Sequence, residues 1–179
     1  MQCKNYNGYK SFQYLEPGVD YRPFRLAKEI DRVPSAAVAV TPEEEARVRR
    51  IFAENLVISL HDHAFIVPEN VDDIWEYRRQ GRDWMAFEGL SVSGLDAYFE
   101  NFMDGTAMIT SKAGWKWEDV IWDLGMRFCD IAHQDMVVVA TCIDDIRKAK
   151  ANGQIALIAC LEAATVIENE LDRLDILYG

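Results

Sequence analysis

The chain has 179 residues, half of them apolar, with 19 lysines and arginines against 30 aspartates and glutamates and a net charge of −11. That length supports one domain with a sizeable core, and the acidic balance opposes binding to nucleic acid or to an anionic membrane surface, so neither is an expected partner. No apolar run reaches the roughly 20 residues that a membrane-spanning helix needs, and residues 1–6 lack a secretory apolar core, so a cytoplasmic protein is expected.

Residues 1–40 carry no sustained period and are punctuated by Gly8, Pro17, Gly18, Pro23 and Pro34. They read as an irregular extension draped over a main domain at 41–179, with aromatic anchors and at most a short helix over 24–30. Thr41, Pro42 and Glu44 then spell a capping-box helix start. Ala46, Val48, Ile51 and Phe52 gather mostly on one face, which predicts that this helix packs against the body.

The stretch 56–63, Leu-Val-Ile-Ser-Leu-His-Asp-His, predicts a strand that ends in two of the chain's three histidines. Alternate side chains of a strand share a face, so His61 and His63 can aim at one point, as a metal with neutral nitrogen ligands requires. Two polar residues opening a loop would give the same pattern. Between 68 and 89 acids, arginines and tryptophans mix without strict period, predicting a long loop over the site with a helical turn or two at 71–79. Trp75, Tyr77 and Trp84 are candidates for lining a substrate pocket there, or for packing the loop onto the body.

A second strand is expected over 94–102, with Leu95, Ala97, Phe99 and Asn101 on one face and Asp96, Tyr98, Glu100 and Phe102 on the other. A loop at 105–114 leads to the strongest helix, 117–132, whose apolar stripe runs Trp117, Val120, Ile121, Leu124, Phe128 and Ile131. His133 falls at its end, where the helix dipole favours a cation. A short strand at 136–140, a helix at 144–151 stopped by Asn152-Gly153, an apolar strand at 154–161 and an amphipathic helix at 165–178 complete the chain. The cysteines Cys3, Cys129, Cys142 and Cys160 lie far apart. Apolar neighbours mark the last three as buried reduced thiols.

Strands alternating with helices give an α/β chain with a parallel sheet. There are too few units for an eight-stranded barrel of about 250 residues, so a fragment or one half of something larger is expected. Glu162 ends the apolar strand at 154–161. Chemistry collects at such carboxyl ends, and a carboxylate there is costly unless it meets a metal or a cation such as an arginine.

Three runs carry a family resemblance: Leu60-His61-Asp62-His63; residues 136–141 with Asp144-Asp145-Ile146-Arg147; and residues 153–162 continuing to Leu174-Asp175-Ile176-Leu177-Tyr178-Gly179. In order and spacing they resemble the membrane (renal-type) dipeptidase family of zinc metallopeptidases, within the amidohydrolase superfamily. The likeness covers about residues 45 to 179, the first half of that family's catalytic barrel. It implies the N-terminal part of a (β/α)8 TIM-type barrel, two zinc ions, and cleavage of small peptides by a hydroxide held between them. By resemblance His61 and His63 ligate one zinc, and Glu162 is the catalytic carboxylate bridging both. The family usually has aspartate where this chain has His63, and glycines where it has Ala163 and Ala164. The resemblance further implies that activity needs the C-terminal half of the barrel; apart from it, the unpaired strand edges and apolar surface of an open half barrel favour pairing with another chain, and a second copy of the chain is the partner expected on that ground. Two other readings stand beside it: a non-catalytic half-barrel binding or assembly protein, and another amidohydrolase acting on lactones or non-peptide amides.

Overall fold

The computed structural model describes residues 4–32, 39–102 and 116–178. The loop expected at 105–114 and Cys3 lie outside them. Four strands, β1 (Ile58–Asp62), β2 (Ala97–Phe102), β3 (Val137–Val139) and β4 (Ile155–Leu161), form one all-parallel sheet in the order β1-β2-β4-β3. The helices are α1 (Pro42–Glu54), α2 (Ile74–Gln80), α3 (Phe87–Ser93), α4 (Trp117–Ile131), α5 (Ile143–Ala151) and α6 (Asp172–Tyr178). The α/β class and the parallel sheet are as expected; among the described residues the strands do not close into a barrel.

The strand order decides where the helices go. The chain steps from β2 past the β4 position to β3 and then returns to β4, and right-handed connections in opposite directions put their helices on opposite faces. Accordingly Ala97 and Ala156 pack with Ile146 and Ala149 of α5. Tyr98, Phe102, Ile155 and Leu157 point the other way, to Val120 and Ile131 of α4. β3 pairs only with the first three residues of β4.

The extension is anchored by its aromatics, as expected. Tyr9 and Phe12 are buried, and the Asp130 carboxylate accepts from the Tyr9 hydroxyl at 2.7 Å and the Phe12 amide at 2.8 Å. No helix forms at 24–30; Leu26 instead bridges Pro68, and Ala27 N–H donates to the Val67 carbonyl. Main-chain pairing with the segment after β1 has displaced a weak local helix preference.

Several sequence expectations are corrected. The α1 capping box is present, Thr41 and Glu44 exchanging bonds at 3.2 and 2.7 Å, yet no α1 residue is buried, and Val48 and Ile51 face solvent. The segment at 87–93 is a helix, and Gly94, at φ +78°, stops it in the left-handed region, so β2 begins at Ala97 rather than at 94. Only part of the expected α4 stripe faces inward, because Ile121 is exposed while Asp123, Arg127 and Asp130 are buried. Cys129 and Cys142 are exposed and Cys160 half-buried; Cys142 is the N-cap of α5, a surface position that its apolar neighbours did not reveal. The final helix is broken, since Glu168 and Asn169 both take positive φ. A 3-10 turn, Ala164–Ile167, precedes that break, and Leu171, Leu174 and Ile176 are exposed beyond it. Among the described residues no helix is long and apolar enough to cross a membrane.

Candidate metal centre

The register of β1 against β2 changes within β1. Ile58 and Ser59 pair with Ala97 and Tyr98, but Asp62 pairs with Glu100, so Leu60 and His61 together stand opposite Phe99. This is a β-bulge, one extra residue in one strand, and a shift of one residue moves every later side chain to the other face. β4 runs in register with β2, Asn101 opposite Cys160. Beyond the bulge, alternation puts His61 and His63 on the face of Asn101, Cys160 and Glu162. Without the extra residue both imidazoles would fall on the Tyr98–Glu100 face, away from Glu162.

His61, His63 and Glu162 each offer a ligand atom, and these atoms all lie within 4.8 Å of one another. The two Nε2 atoms are 3.2 Å apart. Four ligands at the usual zinc–nitrogen distance of about 2.0–2.1 Å in a tetrahedron stand about 3.3 Å from each other, so the imidazoles already have that spacing. The other ring nitrogen of His63, Nδ1, is buried and has no hydrogen-bond partner. Two imidazoles and a carboxylate are also the donor set typical of catalytic zinc, so the residues fit a divalent ion.

Other polar groups hold the two strand ends. His63 N–H donates to the Asp62 carboxylate at 2.9 Å. The Asn101 amide lies 3.5 Å from the Asp62 carbonyl and accepts from the Cys160 thiol at 3.0 Å. On the opposite face of β2, Glu100 is fully buried. One of its oxygens accepts from Arg127 Nη1 at 2.5 Å and the other from the Ala64 amide at 2.8 Å. Burial pushes the Glu100 carboxyl up to about 7, against the pull of Arg127 and the Ala64 N–H. Arg127, itself fully buried, also meets Asp123 at 3.2 Å and Asp83 at 3.3 Å. Burial opposes its charge, but the three carboxylates outweigh burial and raise its pKa.

Of the candidate site residues, the structure brings His61, His63 and Glu162 together. It does not add the aromatic candidates to them. Tyr77 is buried, its hydroxyl accepting from the Trp84 amide at 2.7 Å, and Tyr77 and Trp84 line a groove with Pro17, Tyr21, Phe24 and Arg82. Trp75 is half-buried on α2. The groove that reaches His63 is lined instead by the extension, including Ala27, Lys28, Glu29 and Arg32. His133 serves its helix end as expected, its Nδ1 lying 2.7 Å from the Cys129 carbonyl and its ring stacked on Tyr14 at 3.7 Å. Sequence reading missed the Glu100–Arg127 network; the available signal was a carboxylate between Tyr98 and Phe102, on a strand face too apolar to leave it without a cation. Compared with protein-family models, with curated proteins and with solved structures, the chain finds no match.

Proposed function

We propose that this chain supplies the first metal ligands of a zinc-dependent hydrolase that cleaves small peptide bonds, with His61, His63 and Glu162 as those ligands. The observation that carries the reading is the convergence of the three donor atoms within 4.8 Å at the carboxyl ends of β1 and β4. Zinc there supplies Lewis acidity and lowers the pKa of water from 15.7 to about 7. The residues do the rest. Two neutral imidazoles and one carboxylate bring a single negative charge, so a divalent ion retains net positive charge for polarising a carbonyl; an aspartate in place of His63 would cancel it. Glu162, just past the last residue of β4, would be the carboxylate ligand of this set.

The finer architecture in this proposal is the N-terminal part of a (β/α)8 barrel, with β1, β2 and β4 as neighbouring strands and β3 an added strand on the first residues of β4. The remaining ligands and the substrate-handling groups then come from a C-terminal half or from a second copy. A second reading, an assembly protein without catalysis, draws support from the exposed apolar side chains Leu171, Leu174 and Ile176 around α6.

Zinc titration by calorimetry on the purified chain, with His61→Ala, His63→Ala and Glu162→Gln beside it, tests the proposal. One tightly held ion in the wild type and at least ten-fold weaker binding in each variant is expected, with little turnover of Ala-D-Ala, a lactone or an acyl amide. Equal zinc affinity in all four proteins rejects the ligand assignment. Ordinary enzymatic rates from the chain alone reject the claim that other groups must complete the site.

A further inference from the structure

We propose that Glu100, held by Arg127, is a positioning residue of the His61–His63 site, locking the end of β1 in the register that follows its bulge. This inference deepens the metal-centre reading and rests on it for its consequence, though not for its geometry. Glu100 is the Cα partner of Asp62, the first paired residue after the extra one. Its side chain then reaches past the end of β1, two residues beyond Asp62, where its second oxygen accepts from the Ala64 amide at 2.8 Å. The Ala64 carbonyl is tied as well, accepting from Ala86 N–H at 2.9 Å. His63 therefore sits between two fixed points, Asp62 paired to β2 and Ala64 pinned on both sides.

Charge accounting argues that stability alone does not explain Glu100. Arg127 is already met by Asp123 and Asp83, and Asp83 lies 3.7 Å from Arg78 as well. Glu100 thus adds a third carboxylate to a buried guanidinium that already meets two, and each buried charge carries its own desolvation cost. That carboxylate joins the Arg127 anchor to the backbone after His63. If the lock is lost, β1 is free to return to the register it has at Ile58 and Ser59, and a one-residue slip carries both imidazoles off the Glu162 face.

The chain has three histidines, so imidazole carbon–proton NMR on the metal-free full chain resolves the question directly, with His133, which bonds the Cys129 carbonyl and stacks on Tyr14, as an internal reference. Glu100→Gln is expected to displace or broaden the His61 and His63 signals and leave His133 in place. It is also expected to weaken cobalt(II) binding by about 10–100-fold, the usual effect of removing a group that orients a metal ligand. Asp123→Asn removes a carboxylate from Arg127 without touching Ala64; it is expected to lower the melting temperature and leave all three signals unmoved. Arg127→Lys, which keeps the charge but loosens the anchor, provides the same readout if Glu100→Gln does not fold.

Folded Glu100→Gln or Arg127→Lys protein with wild-type His61 and His63 signals overturns the lock. A wild type that takes up no cobalt, while Glu100→Gln still displaces those signals, keeps the lock and rejects the metal reading instead.

Discussion

The two ends of the same parallel sheet hold charged clusters of opposite character. At the amino end Asp96, nearly buried, accepts from Lys4 at 2.9 Å, from Lys150 at 2.6 Å and from the Val57 amide at 3.0 Å. Three donors converge on that one carboxylate and tie the extension, α5 and the segment before β1 together. At the carboxyl end the two imidazole Nε2 atoms meet at 3.2 Å, and donor atoms of His61, His63 and Glu162 lie within 4.8 Å of one another. A carboxylate shared by two lysines fixes strands to helices; imidazole and carboxylate donors that converge, at the end where α/β proteins collect their chemistry, are where a divalent ion has something to add.

The largest effect that tests this contrast is at the closed end. Asp96→Ala removes the acceptor of the Val57 amide and leaves Lys4 and Lys150 with main-chain carbonyls but no counter-charge, and is expected to cost about 3–5 kcal/mol in urea denaturation while leaving zinc affinity within two-fold. A loss under about 1 kcal/mol would mean that the amino end is not the structural one. Zinc at a hundred times its dissociation constant is expected to stabilise the wild type by about 2.7 kcal/mol and to do nothing at that concentration for His63→Ala. Equal stabilisation of both would move the ion elsewhere.

pH separates the two ends by sign. Burial alone would raise the Asp96 carboxyl, but bonds from Lys150, Lys4 and the Val57 amide outweigh it and hold it below 3.8. Its contribution is therefore present above pH 3.8 and lost as pH falls through the lower folded value. Glu100 behaves oppositely: its folded value of about 7 stands above the ordinary 4.5, so the folded chain binds more protons in that window. Stability is expected to fall, by at most about 3 kcal/mol, as pH rises from 4.5 to 7. Denaturation midpoints at half-unit pH steps check both, and Glu100→Gln removes the second slope only. The smallest expected effect is His61→Ala without metal. That exposed residue should change stability by no more than about 0.5 kcal/mol; a larger loss would make the imidazole structural.

How much of this was legible in the sequence depended on range. The Thr41–Glu44 capping box, the Asn152-Gly153 stop, the apolar β4 run and the His-x-His pair are local patterns, fixed by capping, backbone sterics and alternation, and each appears where the residues put it. The burial of α1 and the unbroken helix at 165–178 failed because a periodic stripe states only that a face is apolar, and α1 packs no residue fully while Glu168 and Asn169 turn the chain out of its helix. Sequence alone determined which three side chains offer metal-type donors. Tertiary structure decided that they share a face, because the bulge at Leu60–His61 depends on how β1 registers against β2, a relation between residues some forty positions apart, and the Glu100–Arg127 pair joins β2 to α4 across 27 positions, which no local period encodes.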